Sequence, residues 1–160
     1  GEYILSIDGS SGAGHFSCPH GIVIDRRKEV PELYVADRAN GRVQVFDLNG
    51  GYLRTFGEDF FTTPSEFAIT GDLMIVAELE ARLTMVDMND QLVCYLFPDD
   101  EAAECEGWPN ELAESGSPQR PSRLDIGKFN SPHGITVDEK GNIYVAEWLI
   151  GGRFTKLVLK

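Results

Sequence analysis

The amino-acid sequence predicts an all-β fold made of a repeated four-stranded unit, and three observations support this prediction. The phrase Cys-Pro-His-Gly-Ile-Val-Ile-Asp at 18–25 recurs as Ser-Pro-His-Gly-Ile-Thr-Val-Asp at 131–138. Residues 42–47, Arg-Val-Gln-Val-Phe-Asp, alternate polar and apolar side chains, which is typical of a half-buried strand. Asn-Gly pairs at 40–41 and 49–50 supply the positive φ that tight hairpin turns require.

The first predicted unit covers residues 15–57 and consists of four strands joined by turns. The predicted strands are 21–25, 32–37, 42–47 and 52–56. They are rich in β-branched and aromatic residues, and Gly, Pro, Asn or Asp residues lie between them. Because short connections join antiparallel neighbours, the unit is predicted to be a meander.

The unit recurs twice along the chain. A second unit, predicted to cover 58–98, has its first strand at Pro64, 45 residues after the corresponding proline of the first unit. Pro132 marks a third unit at 128–160, in which a fourth strand is missing. Residues 99–127 are acidic at first and then rich in Pro, Gly and Ser, so they are predicted to be an insertion loop.

Four-stranded meanders that repeat about every 40–45 residues are typical of β-propellers, which hold about four to eight blades. Residues 1–14 are predicted to supply a closing strand at 3–7, Tyr-Ile-Leu-Ser-Ile, and a loop. Such a strand completes the last blade when a propeller closes. The chain 1–160 is therefore predicted to be a single partial propeller. The remaining blades are expected either from the same precursor or from a second copy, which would join this chain head to tail into six blades.

Composition restricts the partners. The formal net charge of −12 argues against nucleic acid, whose phosphates require clustered Lys and Arg. No stretch approaches the roughly 18 consecutive apolar residues that cross a membrane.

The odd number of cysteines leaves at least one of Cys18, Cys94 and Cys105 unpaired within the chain. Cys94 and Cys105 either form a disulfide in an oxidising compartment or remain free thiols.

Pro-His-Gly-Ile at 19–22, together with Leu-Tyr-Val-Ala-Asp-Arg-Ala-Asn-Gly-Arg-Val-Gln-Val-Phe-Asp at 33–47, resembles an NHL repeat. The resemblance covers nearly the whole chain apart from 99–127. Within this group the sequence is most similar to the lyase domain of peptidylglycine α-amidating enzymes and its bacterial relatives. The resemblance implies a six-bladed propeller that cleaves peptidyl-α-hydroxyglycine to a peptide amide and glyoxylate. It also implies an extracellular or periplasmic location.

The resemblance implies site residues as well. His20 and His133 match two of the three histidines that hold the family's zinc, and the third ligand is expected outside this chain. Arg38 matches an arginine of the lyase active site. The family also has a structural calcium, tied to an Asp that directly follows the last zinc histidine. This chain has Gly134 at that position, and it has Ser131 where the family has a Met.

The positions of the histidines support a metal site independently of the resemblance. The first strand of a blade lines the central channel, so His20 and His133 are expected at the channel mouth, in alternate blades. Three histidines on alternate blades of a six-bladed ring would converge on its axis and leave a fourth position open, as catalytic zinc requires. A head-to-tail pair of chains would break this pattern. Alternatively, Pro-His-Gly is only a turn, and its imidazole bonds to the backbone of a neighbouring blade.

Other polar and aromatic residues have two interpretations each. Arg38 either binds substrate or belongs to an Asp-Arg-x-Asn-x-Arg pattern that organises a hairpin. Glu78 and Glu80 are expected to be solvated turn carboxylates, although paired acids can act as a base or bind a cation. Trp148 is expected in the core, whereas an exposed Trp near the rim would indicate a binding surface. His15 is expected to be a loop residue.

Two functions of different class follow from the sequence. The first is a zinc-dependent lyase in which His20 and His133 hold the metal and Arg38 binds substrate. The second is a propeller without catalytic activity that presents its rim, including the insertion at 99–127, to a peptide or protein.

Overall fold

The computed structural model describes residues 1–158, which form four antiparallel sheets, and three of these sheets are successive propeller blades. The strands of the first blade are β1 (Pro19–Asp25), β2 (Glu32–Asp37), β3 (Arg42–Phe46) and β4 (Tyr52–Phe56). Those of the second are β5 (Pro64–Thr70), β6 (Leu73–Glu78), β7 (Arg82–Val86) and β8 (Leu92–Leu96). Consecutive strands pair in both blades, so the predicted meanders and the all-β fold class are confirmed.

The third blade has three strands in the part of the chain that the structure describes. They follow a short hairpin, β9 (Glu111–Leu112) and β10 (Pro118–Gln119), and are β11 (Pro132–Val137), β12 (Ile143–Glu147) and β13 (Arg153–Leu157). Residues 159–160 of the predicted third unit lie outside the described residues. Residues 3–7 belong to no sheet in this structure and are largely exposed, so their role as a closing strand stays a prediction. A strand needs a partner backbone, and the sheet that 3–7 was expected to complete is the third blade, at the other end of the chain.

The insertion at 99–127 packs against the third blade. The Trp108 indole Nε1 donates to the carbonyl oxygen of Asn130 at 3.0 Å, and the Asn130 side-chain amide donates to the Pro109 carbonyl oxygen at 2.9 Å. Arg120 donates to the carbonyl oxygens of Ile150 and Gly152. The insertion is therefore anchored by hydrogen bonds to the backbone of the blade.

Among residues 1–158, no helix is long and apolar enough to cross the lipid bilayer.

The inner strands of the three blades lie side by side, because β5 contacts both β1 and β11. Two apolar clusters fill the spaces between neighbouring blades. The first joins Tyr34, Val43 and Val45 to Phe67, Met74 and Val76, and the second joins Ile75, Ala77, Leu83 and Met85 to Ile143 and Val145. The blades therefore share their cores, and the position of each inner strand depends on its neighbour.

Gly21 shows how closely two inner strands approach. A Cβ atom at this position would lie 2.9 Å from the Cα of Glu66 on the neighbouring strand, closer than carbon atoms pack. The backbone φ of Gly21 is not in the left-handed region, so the need for glycine here is one of space. The contact between the two blades therefore requires glycine at the position after His20.

Each inner strand begins with a β-bulge that contains the residue after its proline. In β1, Pro19 pairs with Asp37 and the regular register resumes only at Ile22. In β11, Pro132 pairs with Glu147 and the register resumes at Gly134. A bulge changes the direction in which a side chain points. His20 and His133 both lie in these bulges, so their orientation departs from the simple alternation of a strand.

A buried carboxylate at the end of the second strand organises each blade. In the first blade Asp37 accepts hydrogen bonds from the Ser17 backbone N–H at 2.7 Å, from the Arg42 Nε at 2.7 Å and from the Gln44 amide at 3.1 Å. Ser17 precedes the Pro-His turn and Arg42 begins β3. We call this arrangement the carboxylate clamp: it ties the loop before the inner strand to the start of the third strand.

The other two blades repeat the carboxylate clamp with Glu in place of Asp. Glu78 accepts from the backbone N–H groups of Thr62 and Thr63 and from the Arg82 Nε. Glu147 accepts from the backbone N–H groups of Asn130 and Ser131 and from the Arg153 guanidinium. These carboxylates are 0–6% exposed. The prediction that Glu78 is a solvated turn carboxylate is therefore wrong, whereas Glu80 is exposed as expected.

We expect Glu78→Gln to destabilise the protein by about 3–5 kcal/mol, because the charge of Arg82 loses its buried partner. The free energy of unfolding measured in urea tests this. Glu80→Gln is the matched control, since the same change at an exposed position is expected to alter stability by less than about 0.5 kcal/mol. Equal effects of the two substitutions would contradict the structural role of the clamp.

Arg54 connects the first two blades through charged groups. Its guanidinium lies 2.7 Å from Glu32 Oε2 and 2.6 Å from Asp90 Oδ2, and the Tyr34 hydroxyl donates to Asp90 at 2.9 Å. The hydrogen bonds from Arg54 lower the pKa of Glu32 from 4.5 to about 2, against the opposing effect of burial. Ionised Glu32 therefore stabilises the folded chain.

The contribution of Glu32 to stability is expected to be complete above pH 4.5 and to be lost as the pH falls through about 2, because its pKa is lower in the folded state. Glu32→Gln should make stability less dependent on pH across this interval. Unfolding free energies measured at a series of acidic pH values check this. Glu29→Gln, an exposed neighbour, should leave the pH dependence unchanged.

Candidate functional site at the channel mouth

The structure brings together the two histidines that the sequence singled out. The imidazole rings of His20 and His133 lie with their centroids 4.6 Å apart and their planes at 86°. They belong to the first and third blades, and Ser65 of the second blade lies between them in the pattern of the repeat. The carboxylate clamps hold the loops that precede both histidines. The pair is therefore fixed from two sides by buried interactions.

A backbone hydrogen bond sets the tautomer of His20. Its Nδ1 atom lies 2.9 Å from the carbonyl oxygen of Ser65. A carbonyl oxygen only accepts, so Nδ1 carries the hydrogen, and in the neutral ring Nε2 keeps its lone pair. The hydrogen bond between blades that a purely structural role requires is thus present. The same bond is the one that commonly orients a metal-binding histidine.

His133 is held in its neutral form near neutral pH. Burial of the ring lowers the pKa of His133, and the positive charges that His20 and Arg38 can carry lower it further. The carboxylate of Glu66 opposes these effects. Because a metal ion binds the unprotonated imidazole, these neighbours favour the form that can coordinate a metal.

Arg38 lies near the pair of histidines, at what we call the channel mouth, and takes no part in the carboxylate clamp. It begins the 3-10 turn Arg38–Asn40, and its Nη2 donates to the Cys18 thiol sulfur at 3.1 Å. The hairpin is organised by Asp37 and Arg42 instead. The guanidinium of Arg38 is half-buried and acts electrostatically on His133. Arg38 therefore supplies positive charge beside the two histidines.

Trp148 differs from its predicted position in the core. Its side chain is 58% exposed, and its indole lies 6.1 Å from the His133 ring at a tilt of 37°. Trp148 directly follows Glu147, just as Arg38 directly follows Asp37. The carboxylate clamp places both residues at the mouth. The shared position after the clamp carboxylate is the signal in the sequence that could have located Trp148.

Glu66 is a mouth residue that the sequence interpretation missed. In the second blade it occupies the position that Gly21 and Gly134 occupy in the others, which the alignment of Pro64 with the other two prolines could have shown. Its Oε1 accepts the Phe67 backbone N–H at 3.0 Å. The half-buried carboxylate adds a negative charge to a site that otherwise carries imidazoles and a guanidinium.

The metal site stays a prediction. Two imidazoles supply two ligands, and among residues 1–158 no group of three or more His, Cys, Asp or Glu side chains is arranged to hold a metal ion. The zinc and the calcium implied by the resemblance therefore both stay predictions.

Cys18, Cys94 and Cys105 are free and exposed in this structure. His15 lies in a loop, with its Nδ1 3.4 Å from Asp8.

We expect Glu66→Gln to lower the pKa of His133 further, because it removes the negative charge that stabilises the imidazolium. Arg38→Met should have the opposite effect, since it removes a positive charge. Titration of the His133 imidazole resonance by NMR in a chelating buffer measures both. The His15 resonance is the internal control. Shifts of the same sign in the two variants would contradict the described electrostatics.

The sequence is similar to known NHL-repeat proteins. Residues 16–46 and 129–148 match the NHL repeat. The chain is 32% identical over 152 residues to NHL repeat-containing protein 3 of Homo sapiens, and the match covers 90% of this chain. It spans 37% of the length of that relative.

Two solved structures share the fold. Virginiamycin B lyase of Staphylococcus aureus, a catalytically inactive variant with quinupristin, matches with a TM-score of 0.51 at 12% identity, over 89% of this chain and 42% of the lyase. Hydrazine synthase of Kuenenia stuttgartiensis matches with a TM-score of 0.52 at 13% identity, over 94% of this chain and 49% of the synthase. At such low identity the likeness concerns the fold alone. The chain therefore forms three blades of a partial β-propeller, and its first and third blades carry the matches to the NHL repeat.

Proposed function

We propose that the intact propeller is a zinc-dependent lyase that resembles the peptidyl-α-hydroxyglycine amidating lyases, with its site at the channel mouth. The observation that carries this proposal is the pairing of His20 with His133, 4.6 Å between ring centroids, together with the bond from His20 Nδ1 to Ser65. Imidazoles that are adjacent and unprotonated at one nitrogen are suited to a shared metal ion. The activity and substrate of the whole protein rest on this proposal.

The donor chemistry fits two ligands of a catalytic zinc. His20 offers Nε2, because its other nitrogen is committed to the Ser65 carbonyl. His133 offers a ring that its surroundings keep neutral. A third histidine is expected from a blade outside this chain. Zinc held in this way supplies a Lewis acid that polarises the substrate oxygen.

The residues of this chain bind and orient the substrate. The reaction converts a peptidyl-α-hydroxyglycine to a peptide amide and glyoxylate by breaking one C–N bond. The hydroxyl loses its proton to form the aldehyde, and the departing amide nitrogen gains one, so the atoms balance. Arg38 is the cation that binds the substrate carboxylate, since guanidinium and carboxylate form strong paired hydrogen bonds. The imidazoles lie next to Arg38, where the carbon beside that carboxylate would be.

A second candidate function is a propeller that binds a peptide or protein on its rim without catalysis. Exposed apolar side chains favour it: Trp148 lies at the mouth, and Ile126 of the insertion is fully exposed. Large exposed apolar residues are typical of interaction surfaces when they form a patch. The matches to the NHL repeat support this candidate as well, because NHL propellers commonly bind proteins.

We expect the full-length protein to bind zinc stoichiometrically and both His20→Ala and His133→Ala to weaken zinc binding more than about tenfold, because each removes a ligand. Equilibrium dialysis against Zn²⁺, followed by metal analysis, measures this without any activity assay. His15→Ala is the matched control, since His15 lies in a separate loop beside Asp8.

Release of a peptide amide from a peptidyl-α-hydroxyglycine then tests the reaction. Arg38→Met should lower kcat/KM and leave zinc binding intact. No stoichiometric zinc, or unchanged zinc in His133→Ala, would overturn the lyase proposal and leave rim binding as the function. Stoichiometric zinc without release of amide would retain the metal site and refute the amidating activity.

A further inference from the structure

We infer that Trp148 forms an apolar subsite at the channel mouth, which binds the side chain of the peptide residue preceding the glycine unit held at His20 and His133. This inference rests on the proposed function and specifies its substrate class. The preferred substrates are peptides with an aromatic or large aliphatic residue at that place. Trp148 is thus a specificity-determining residue.

Trp148 is exposed although both of its neighbours in sequence are buried. The indole is 58% exposed, while Glu147 before it is 6% exposed and Leu149 after it is 9% exposed. A single exposed apolar residue is common on protein surfaces and needs no special explanation. The position of Trp148 is what distinguishes it, because its ring lies 6.1 Å from the ring of His133. An apolar group bound on this indole would lie beside the two imidazoles.

The backbone of Trp148 is also held in place relative to the segment that leads into His133. Its backbone N–H donates to the Ser131 carbonyl oxygen at 2.9 Å, and the Ser131 hydroxyl donates to the Trp148 carbonyl oxygen at 2.8 Å. Ser131 is fully buried, and its own N–H donates to the clamp carboxylate of Glu147. The backbones of Trp148 and of the residue two before His133 are therefore tied together. A preorganised aromatic surface loses little entropy when it binds a ligand.

The equivalent positions in the other blades show that the fold does not demand an indole. Arg38 follows the clamp carboxylate of the first blade and Leu79 that of the second. Leu79 keeps the corresponding backbone bond, to the Thr63 carbonyl oxygen at 3.1 Å, yet is buried. In the first blade the bond shifts by one residue, from the Ala39 N–H to the Ser17 carbonyl oxygen. The backbone geometry that the second and third blades share thus accepts a buried aliphatic chain or an exposed indole. The choice of side chain determines the chemistry of the mouth.

The mouth accordingly offers two different surfaces beside the histidine pair. Arg38 presents a guanidinium that binds a carboxylate. Trp148 presents an apolar ring that binds aromatic or aliphatic groups. A peptide that ends in a carboxylate and carries an apolar side chain one residue earlier satisfies both. Neither nucleic acid nor a polycation has this combination of groups.

The test uses the full-length protein with Trp108→Phe, which leaves Trp148 as the sole tryptophan of this chain. The probes are N-acetyl-Phe-Gly and N-acetyl-Ala-Gly, which have equal charge and lack the hydroxyl needed for reaction. We expect N-acetyl-Phe-Gly to bind about tenfold more tightly, and to change the Trp148 fluorescence, because its ring contacts the indole. Calorimetry measures both dissociation constants.

Substitution of Trp148 gives the decisive comparison. Trp148→Ala should reduce the preference to less than about twofold without weakening N-acetyl-Ala-Gly or zinc, whereas Trp148→Phe, the matched control, should retain most of it. Equal binding of the two probes to the parent protein, or a preference that persists in Trp148→Ala, would overturn the inference. So would an indole that acrylamide cannot quench in the ligand-free protein, since another part of the molecule would then cover it.

The outcomes separate this inference from the proposed function. Stoichiometric zinc and release of the peptide amide without a preference for the aromatic probe refute the subsite and retain the lyase. A preference that depends on Trp148 in a protein without zinc retains the subsite and refutes the lyase.

Discussion

The carboxylate clamp is the interaction on which the rest of the structure depends. Asp37, Glu78 and Glu147 are buried at the ends of second strands, where an arginine and backbone N–H groups surround each of them. A buried charge is tolerated only when it is paired and hydrogen-bonded, so the clamp fixes its partners strictly. These partners include the loop before each inner strand. The ion pairs and hydrogen bonds of the clamp therefore set the direction in which each inner strand begins.

The channel mouth is built by these clamps together with contacts between blades. The bulges after Pro19 and Pro132 orient His20 and His133, and the Ser65 carbonyl of the intervening blade bonds to His20. Gly21 allows the inner strands of the first two blades to approach closely. The second blade has no histidine, but it supplies the hydrogen bond and the spacing that the pair requires. The three blades therefore contribute different parts of one site.

Much of this site was accessible from sequence. The repeated Pro-His-Gly phrase placed both histidines at the starts of inner strands, and Arg38 came from resemblance to the lyases. Glu66 and Trp148 were missed for different reasons. Glu66 stands where the other blades have glycine, and only a comparison of the three prolines position by position would have revealed this carboxylate. Trp148 was expected in the core because large apolar side chains are usually buried. Local pattern cannot show which neighbour, if any, covers a side chain.

The sequence by itself determined the strands, the meander and the period of the blades, because alternation and turn residues act over a few positions. It also indicated that two blades carry equivalent histidines. Only the tertiary structure decided that the rings of His20 and His133 lie 4.6 Å apart, that Glu78 is buried and that residues 3–7 join no sheet in this chain. Those outcomes depend on groups that are far apart in sequence. Burial, pairing and distance between such groups are set by packing, which no single stretch of sequence specifies.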